Sequence, residues 1–328
     1  MQRVFSGIQP TGNIHIGNYL GAIRNWVELQ HKYESLFCVV DYHAITVEYQ
    51  PEQLHKRVLE LAATLIAAGI DPDKTTLFVQ SSVPEHAELT WLLTCITSIG
   101  ALERMTQFKE KAERQKSGVF AGLMNYPILM ASDILIYKAE FVPVGDDQIQ
   151  HLELTREIAR RFNTMFKETF PEPQPILTKA ARIMALNDPT SKMSKSIEGS
   201  YIAMDDDDDT IRKKIRRAVT DPGPQGGEMG PGVKNLFTLL EAFAEPDLVE
   251  KFRAEYANQS LRYADLKQEL GEAIVTALAP IRERTFELLA KPDQLIEILD
   301  GGAKHARRLA QETVAEVREA MGFKMPVA

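Results

Sequence analysis

"SGIQPTGNIHIGNYLGAI", residues 6–23, places four glycines, a proline and a single His at the entrance to a stretch with helical spacing. Glycines there remove side chains, so that backbone N–H groups and a helix N-terminus can approach something bulky and anionic, a phosphate above all. Just upstream, "RVFSGI" at residues 3–8 reads as a short strand. Residues 14–30 carry helix periodicity, with Ile16, Leu20, Ile23 and Val27 on one face. Strand, glycine-rich turn and helix open a βα unit. Working outward, "SLFCVVDYHAITV" reads as a second buried strand, "QLHKRVLELAATLIAAGI" as a helix ended by Gly69, and "TTLFVQSSV" as a third strand. The alternation predicts an α/β fold with a Rossmann-like, doubly wound parallel sheet.

Residues 85–117 read as helical and turn polar from Glu103 onward, as an insertion around 85–120 would. "MNYPILMASDILIY" and "FVPVGDDQIQHLELTREIARRF" return to buried elements, and the sheet is expected to close near Met184. "DPGPQGGEMGPGV", from Asp221, reads as an exposed mobile loop, and everything beyond it is helix-patterned. No internal repeat is visible. The expected division is a catalytic domain at 1–191 and a C-terminal all-helical domain at 192–328.

The composition, with 44% hydrophobic and 26% charged residues in 328, is that of a soluble globular chain able to bury one large core or two medium ones. No apolar leader region opens the chain, and no run approaches the ~18 residues of a membrane span, so a cytoplasmic protein without membrane contact is expected. Cys38 and Cys95, each in an apolar run without CxxC spacing, read as reduced structural thiols, and no metal site is expected of them. A net charge of −8 excludes a surface coated in positive charge but not local phosphate contacts. In "DDDDDTIRKKIRRAV", Asp205 to Asp209 open a helix along which Arg212, Lys213, Lys214, Arg216 and Arg217 follow. Acid first and base last suits the helix dipole, so this is a stabilised solvated helix or a contact for a nucleic-acid backbone, with Mg²⁺ held by the five Asp the weakest reading for want of a turn geometry or mixed ligands.

In the first turn, Gln9 to Gly12 can expose main-chain donors, while His15 and Asn18 share a face at the helix start with Gly17 between them. "HIGN" alone carries little information. Far downstream, "PTSKMSKSIEGS" sets Lys192 and Lys195 around Met193 and Ser194 in a loop of small hydroxyl residues. Two ammoniums on such a loop can close over phosphates and offset charge developing on them.

Together the two segments resemble the paired HIGH-like and KMSKS signatures of class I aminoacyl-tRNA synthetases. With "DYHAIT", "ERMTQFKEK" and "PVGDDQIQH" in order between them, nearly the whole chain resembles the bacterial-type tryptophanyl-tRNA synthetases. Asn18 stands where many class members have a second His, as is usual in that family, whereas "IEGSYIAMDDDDD" departs from the usual continuation after the lysines.

The resemblance implies ATP against Gln9, Pro10 and Thr11, against Gly17 and Asn18, and against Gly145, Asp146 and Asp147, with adenosine near the backbone of Ile183. It implies phosphates against His15, Lys192, Met193, Ser194, Lys195 and Ser196, with Lys111 as a further partner and His15, Lys111, Lys192 and Lys195 as the catalytic set. For tryptophan it implies walls from Phe5, Met130, Val142 and Val144, Asp133 on the indole nitrogen, Tyr126 and Gln148 on the ammonium, and His43 beside the pocket. The residues agree in one respect: Tyr126, Met130 and Asp133 are four and three apart, hence on one helix face, and a carboxylate suits an indole that can only donate. The same resemblance implies Mg²⁺ with the ATP, tRNA(Trp) as the acceptor, a homodimer, and an anticodon-reading helical domain; it implies no DNA partner. Three rivals remain at this level: a tyrosyl synthetase, a synthetase-like sensor that does not aminoacylate, and a small-molecule adenylyltransferase, which would not need the helical domain.

Overall fold

The computed structural model describes residues 1–106, 120–145, 148–177, 183–194, 197, 199–220 and 229–323. Lys111, Asp146, Asp147, Lys195 and Ser196 lie outside the described residues, as does much of the expected insertion. The first half alternates as β1 (Arg3–Ile8), α1 (Ile16–Asn18), a π-helical turn (Tyr19–Ile23), α2 (Arg24–Leu29), β2 (Glu34–Val39), α3 (Asp41–Ala44), α4 (Pro51–Ala67) and β3 (Thr76–Val79). There follow α5 (Glu85–Thr94), α6 (Ile99–Glu103), α7 (Ala121–Leu135), β4 (Phe141–Val144), α8 (Ile149–Met165) and β5 (Gln174–Leu177). The rest is α9 (Asp208–Arg217), α10 (Pro231–Phe243), α11 (Pro246–Ala257), α12 (Tyr263–Leu289) and α13 (Pro292–Ala320).

The five strands are parallel in the order β3-β2-β1-β4-β5. The chain winds outward from β1 to β3, then returns to the other side of β1 with β4. This is the doubly wound Rossmann-like topology, and the reversal leaves a crevice at the carboxyl ends of β1 and β4.

Local chemistry explains where elements stop. After α4, Gly69 adopts φ +113°, Ile70 N–H reaches Leu65 O and Gly69 N–H reaches Ile66 O, the paired bonds of a Schellman cap. β2 ends at Val39 instead of running through to Val47, because Asp41 turns the chain: its Oδ1 accepts from Tyr42 N at 3.1 Å and Ser81 N at 2.9 Å. The helix expected over residues 14–30 is interrupted by the π turn, whose extra residue shifts the buried face, so that Trp26 is buried and Val27 only half-buried. The expected helix from 85 breaks after Thr94 and resumes at Ile99. The last sheet strand is β5; Met184 pairs only as an isolated antiparallel bridge with Lys192.

The C-terminal helices do not stand apart from the sheet. α9 to α12 share one apolar cluster with Ile16, Leu20 and Ile183. α13 lies directly on β3, close enough that a Cβ on Gly302 would fall 1.9 Å from Leu77 O, and its Ala303, Ala306 and Ala310 join the core of the sheet. A helix-patterned sequence says nothing of which core receives the helix; here Gly302 and the small residues that follow it allow backbone-to-backbone approach.

Candidate active site

At the switch point the carboxyl ends of β1 and β4 part around a cavity of about 400 Å³. β1 supplies Phe5 to Gln9, and β4 with its following turn supplies Val142 to Gly145. The third wall is one face of α7: Tyr126, Met130 and Asp133 all line the cavity, as their spacing requires. Asn18, Gly21 and Ala22 enter from the first helical turns, His43 from α3 and Gln148 from the start of α8. Gly21 has nothing within 4 Å of a built Cβ, so the helix presents bare backbone there. The sheet-side walls are apolar, and Phe5 is held by stacking on Tyr137 at 5.6 Å.

Asp133 is the polar centre and is 1% exposed. Its Oδ2 lies 2.7 Å from His43 Nε2, and its Oδ1 lies 2.6 Å from both His86 Nδ1 and Gln80 Nε2. Burial pushes its pKa up, but the hydrogen bonds of His43 and His86 outweigh that and hold it below the ordinary carboxylate value. The same burial, with Asp133 and Asp41 nearby, raises the Cys38 thiol and keeps it protonated. A carboxylate has about four acceptor positions; three donors here leave capacity for one more, from the cavity. Tyr126 Oη lies 2.9 Å from His151 Nε2, which orients the phenol at the other end of the same helix face.

A second group flanks the cavity without lining it. His15 caps α1: its Nδ1 accepts from Gly17 N at 3.1 Å while Asn18 Oδ1 accepts from His15 N at 3.2 Å. A neutral ring then carries its proton on Nε2. Pro10 and Thr11 follow Gln9 in the turn, with Thr11 N–H on Gln9 O at 2.9 Å. The lysine loop is anchored beside them. Ala185 N–H bonds to Ser191 O and Met193 N–H to Ile183 O, and the buried Met193 sits in one cluster with Ile16 and Ile183. A Cβ on Gly17 would lie 2.9 Å from His15 Cε1 and Nδ1, so the glycine makes room for the capping ring, while Met193 Sδ would stand at an ordinary contact distance of 3.7 Å. Lys192 and Ser194 flank that apolar anchor.

The sequence reading missed the residues that hold these parts. Asn235 of α10 accepts from Met184 N and donates to Met184 O, both at 3.0 Å, fixing the segment before the lysine loop. Asp188 accepts from the Thr190 and Ser191 hydroxyls within the loop. Gln80 and His86, both fully buried, brace Asp133; a His on an otherwise apolar helix face was the signal available for the second. The aspartate run is also used residue by residue. Asp205 accepts from Asn13, Asp206 from Ala203 N and Lys214, Asp207 caps α9, Asp208 pairs with Arg282 and Asp209 with Arg212. Along α9, Arg212 is held by Glu272 through two bonds at 2.7 and 3.0 Å. Lys213, Arg216 and Arg217 are exposed and have no ion-pair partner among the described residues.

Comparison with known proteins agrees with this geometry. The family "tRNA synthetases class I (W and Y)" matches residues 1–279. A tryptophan–tRNA ligase of Caldanaerobacter subterraneus is 49% identical over 332 residues, covering 98% of this chain and 99% of that protein. The tryptophanyl-tRNA synthetase of Campylobacter jejuni, solved with ADP and tryptophan, superposes with a TM-score of 0.87 at 36% identity, covering 98% of this chain and all of that one. The Mycoplasma pneumoniae tryptophanyl-tRNA synthetase gives 0.88 at 38% identity, covering 98% of each. With the switch-point cavity, both signatures in contact and full-length likeness on this scale, the chain belongs to the class I tRNA synthetases of the tryptophan and tyrosine type and, among them, to the tryptophan–tRNA ligases.

Proposed function

We propose that the cavity between β1 and β4 is where this ligase activates L-tryptophan with ATP before charging tRNA(Trp). The observation that carries the reading is Asp133, pinned by three donors at the end of an apolar slot with one acceptor position left toward the cavity. An indole enters between Phe5, Met130, Val142 and Val144 and donates its N–H to Asp133, with His43 alongside. Tyr126 and Gln148 receive the ammonium. Gln9, Pro10, Thr11, Gly17, Asn18, Gly145 and the backbone at Ile183 receive ATP, and Asp146 and Asp147, next in the sequence, are assigned to it as well.

The tryptophan carboxylate attacks the α-phosphorus in line; a carboxylate–phosphate anhydride forms and the bond to pyrophosphate breaks. His15, donating from Nε2, and the ammonium of Lys192, with Met193 as its buried anchor and Ser194, Lys195 and Ser196 beside it, stabilise phosphate charge; Lys111 is assigned the same task. A hydroxyl of the terminal tRNA adenosine then attacks the activated carbonyl, AMP leaves and the hydroxyl proton is lost. Positioning and electrostatics carry the rate, with no covalent enzyme intermediate. Among the described residues no group of three His, Cys, Asp or Glu side chains is placed to hold a metal. Mg²⁺ bound to the ATP phosphates would offset their charge.

The helices after residue 208 are assigned to the tRNA, with α13 acting as a brace on the sheet. The reading includes a homodimer, for which the exposed Trp91, Ile99 and Phe120 of α5, α6 and the start of α7 offer apolar surface to bury. The reading places the enzyme in the cytoplasm; among the described residues no helix is long and apolar enough to cross a membrane. The test is amino-acid-dependent exchange of pyrophosphate into ATP with each of the twenty amino acids. Tryptophan alone should support rapid exchange; exchange driven by tyrosine, or by none, overturns the reading.

A further inference from the structure

His86 lies behind Asp133, fully buried and outside the cavity. Its Nδ1 is 2.6 Å from Asp133 Oδ1 and its Nε2 is 2.7 Å from Tyr137 Oη. Burial, with Cys38, Asp133 and Glu85 nearby, pushes the Tyr137 pKa well above its ordinary value, so the phenol keeps its proton. A phenol donating to Nε2 leaves the ring proton on Nδ1, pointed at the carboxylate. The hydrogen bonds then run one way: Tyr137 O–H to His86, His86 N–H to Asp133.

The frame around His86 is equally fixed. Its backbone carbonyl accepts from Ser132 Oγ at 3.0 Å, tying α5 to the residue before Asp133 on α7. Its chain neighbour Glu85 is clamped from the last helix, Oε1 accepting from both Arg307 Nε and Gln311 Nε2 at 2.9 Å. Gln80 shares Oδ1 with His86, while His43, which lines the cavity, takes Oδ2. Two donors on one oxygen set the plane of the carboxylate and thereby the direction of its remaining acceptor position.

We infer that His86, oriented by Tyr137, is a positioning residue that aims the carboxylate of Asp133, and so determines how strongly the site demands a ring N–H. The inference rests on the assignment of Asp133 as the reader of the indole nitrogen. A site built around an acceptor discriminates against a substrate lacking the donor because the acceptor is then stranded. If the carboxylate is free to turn or take up a proton, that discrimination weakens although the apolar slot is intact.

The experiment compares tryptophan with an analogue whose ring N–H is replaced by sulfur, reading the ratio of kcat/KM in pyrophosphate exchange. The wild-type enzyme should prefer tryptophan by at least about tenfold. In His86→Leu, which has no donor, the ratio should fall to about threefold or less; in His86→Asn, whose amide nitrogen can take the place of Nδ1, it should recover most of the wild-type value. General damage to the pocket lowers activity toward both substrates and does not follow this pattern of loss and rescue. A wild-type or larger ratio in His86→Leu overturns the proposal. Should His86→Leu fail to fold, as judged by thermal unfolding, a folded His86→Asn that loses the preference overturns it and one that keeps it supports it. Asp133→Ala, run alongside, separates the two assignments: if it keeps the preference, both fall; if it abolishes the preference while His86→Leu keeps it, the role of His86 alone is refuted.

Discussion

Asp133→Asn changes one atom and tests the charge on which the site depends. Two donors, His86 Nδ1 and Gln80 Nε2, face Oδ1, each at 2.6 Å, so the single oxygen of an Asn side chain is wanted there. Its NH₂ then falls where Oδ2 was, facing His43 Nε2 at 2.7 Å. His43 can move its proton to Nδ1 and accept instead. The variant should therefore fold, but with a donor exposed toward the cavity where a charged acceptor stood. A hydrogen bond to a charged group contributes about 1.5–3 kcal/mol, so kcat/KM for tryptophan in pyrophosphate exchange should fall about 10- to 150-fold. The sulfur analogue, which makes no such bond, should lose much less. The pH dependence of stability follows with its sign. Asp133 has a folded pKa below its unfolded value, so its contribution is present above the unfolded carboxylate pKa, about 3.9, and is lost as pH falls through the folded one. Acid unfolding of Asp133→Asn should accordingly be shallower below about pH 4. A loss of tryptophan activity under threefold, or an equal loss with both substrates, would refute the assignment of the charge.

Gly301 and Gly302 should respond oppositely to the same substitution. Nothing lies within 4 Å of a Cβ on Gly301, so Gly301→Ala should stabilise by up to ~1 kcal/mol, whereas Gly302→Ala pushes into Leu77 O at 1.9 Å and should cost about 1–3 kcal/mol net; thermal unfolding with the same sign for both would contradict the packing of α13 on β3. Replacing Lys213, Arg216 and Arg217 together by Gln should weaken tRNA binding and flatten its salt dependence while leaving adenylate formation near wild type, because these α9 cations are exposed and have no ion-pair partner among the described residues. An unchanged affinity and salt slope would make α9 a solvated face.

Much of the fold was legible because its signals are local. The strand–glycine–helix opening, the Gly69 stop and the alternation of β1 to β3 depend on period and on backbone freedom, which a sequence states directly. The i, i+4, i+7 spacing of Tyr126, Met130 and Asp133 sufficed to put them on one face, and the cavity they line stands at the strand reversal where such a sheet opens. Less legible were interruptions that need a partner from elsewhere. "DYHAIT" keeps the pattern of β2, yet the strand ends because Ser81 N–H reaches Asp41, and the first helix takes a π turn that its periodicity does not announce.

The two signatures, the α/β alternation and the face of α7 that carries a carboxylate all follow from local pattern. How that carboxylate is bonded and ionised follows from contacts made only on folding. His43, Gln80 and His86 arrive at Asp133 from separate elements and set its ionisation against the cost of burial. Likewise, Asn235 supports the segment before the lysine loop from α10, and α13 returns to β3 across more than 200 residues of chain. The reason is physical: periodicity and propensity act between neighbours along the chain, whereas burial, hydrogen-bond completion and the direction of an acceptor depend on atoms that become neighbours only when the chain has folded.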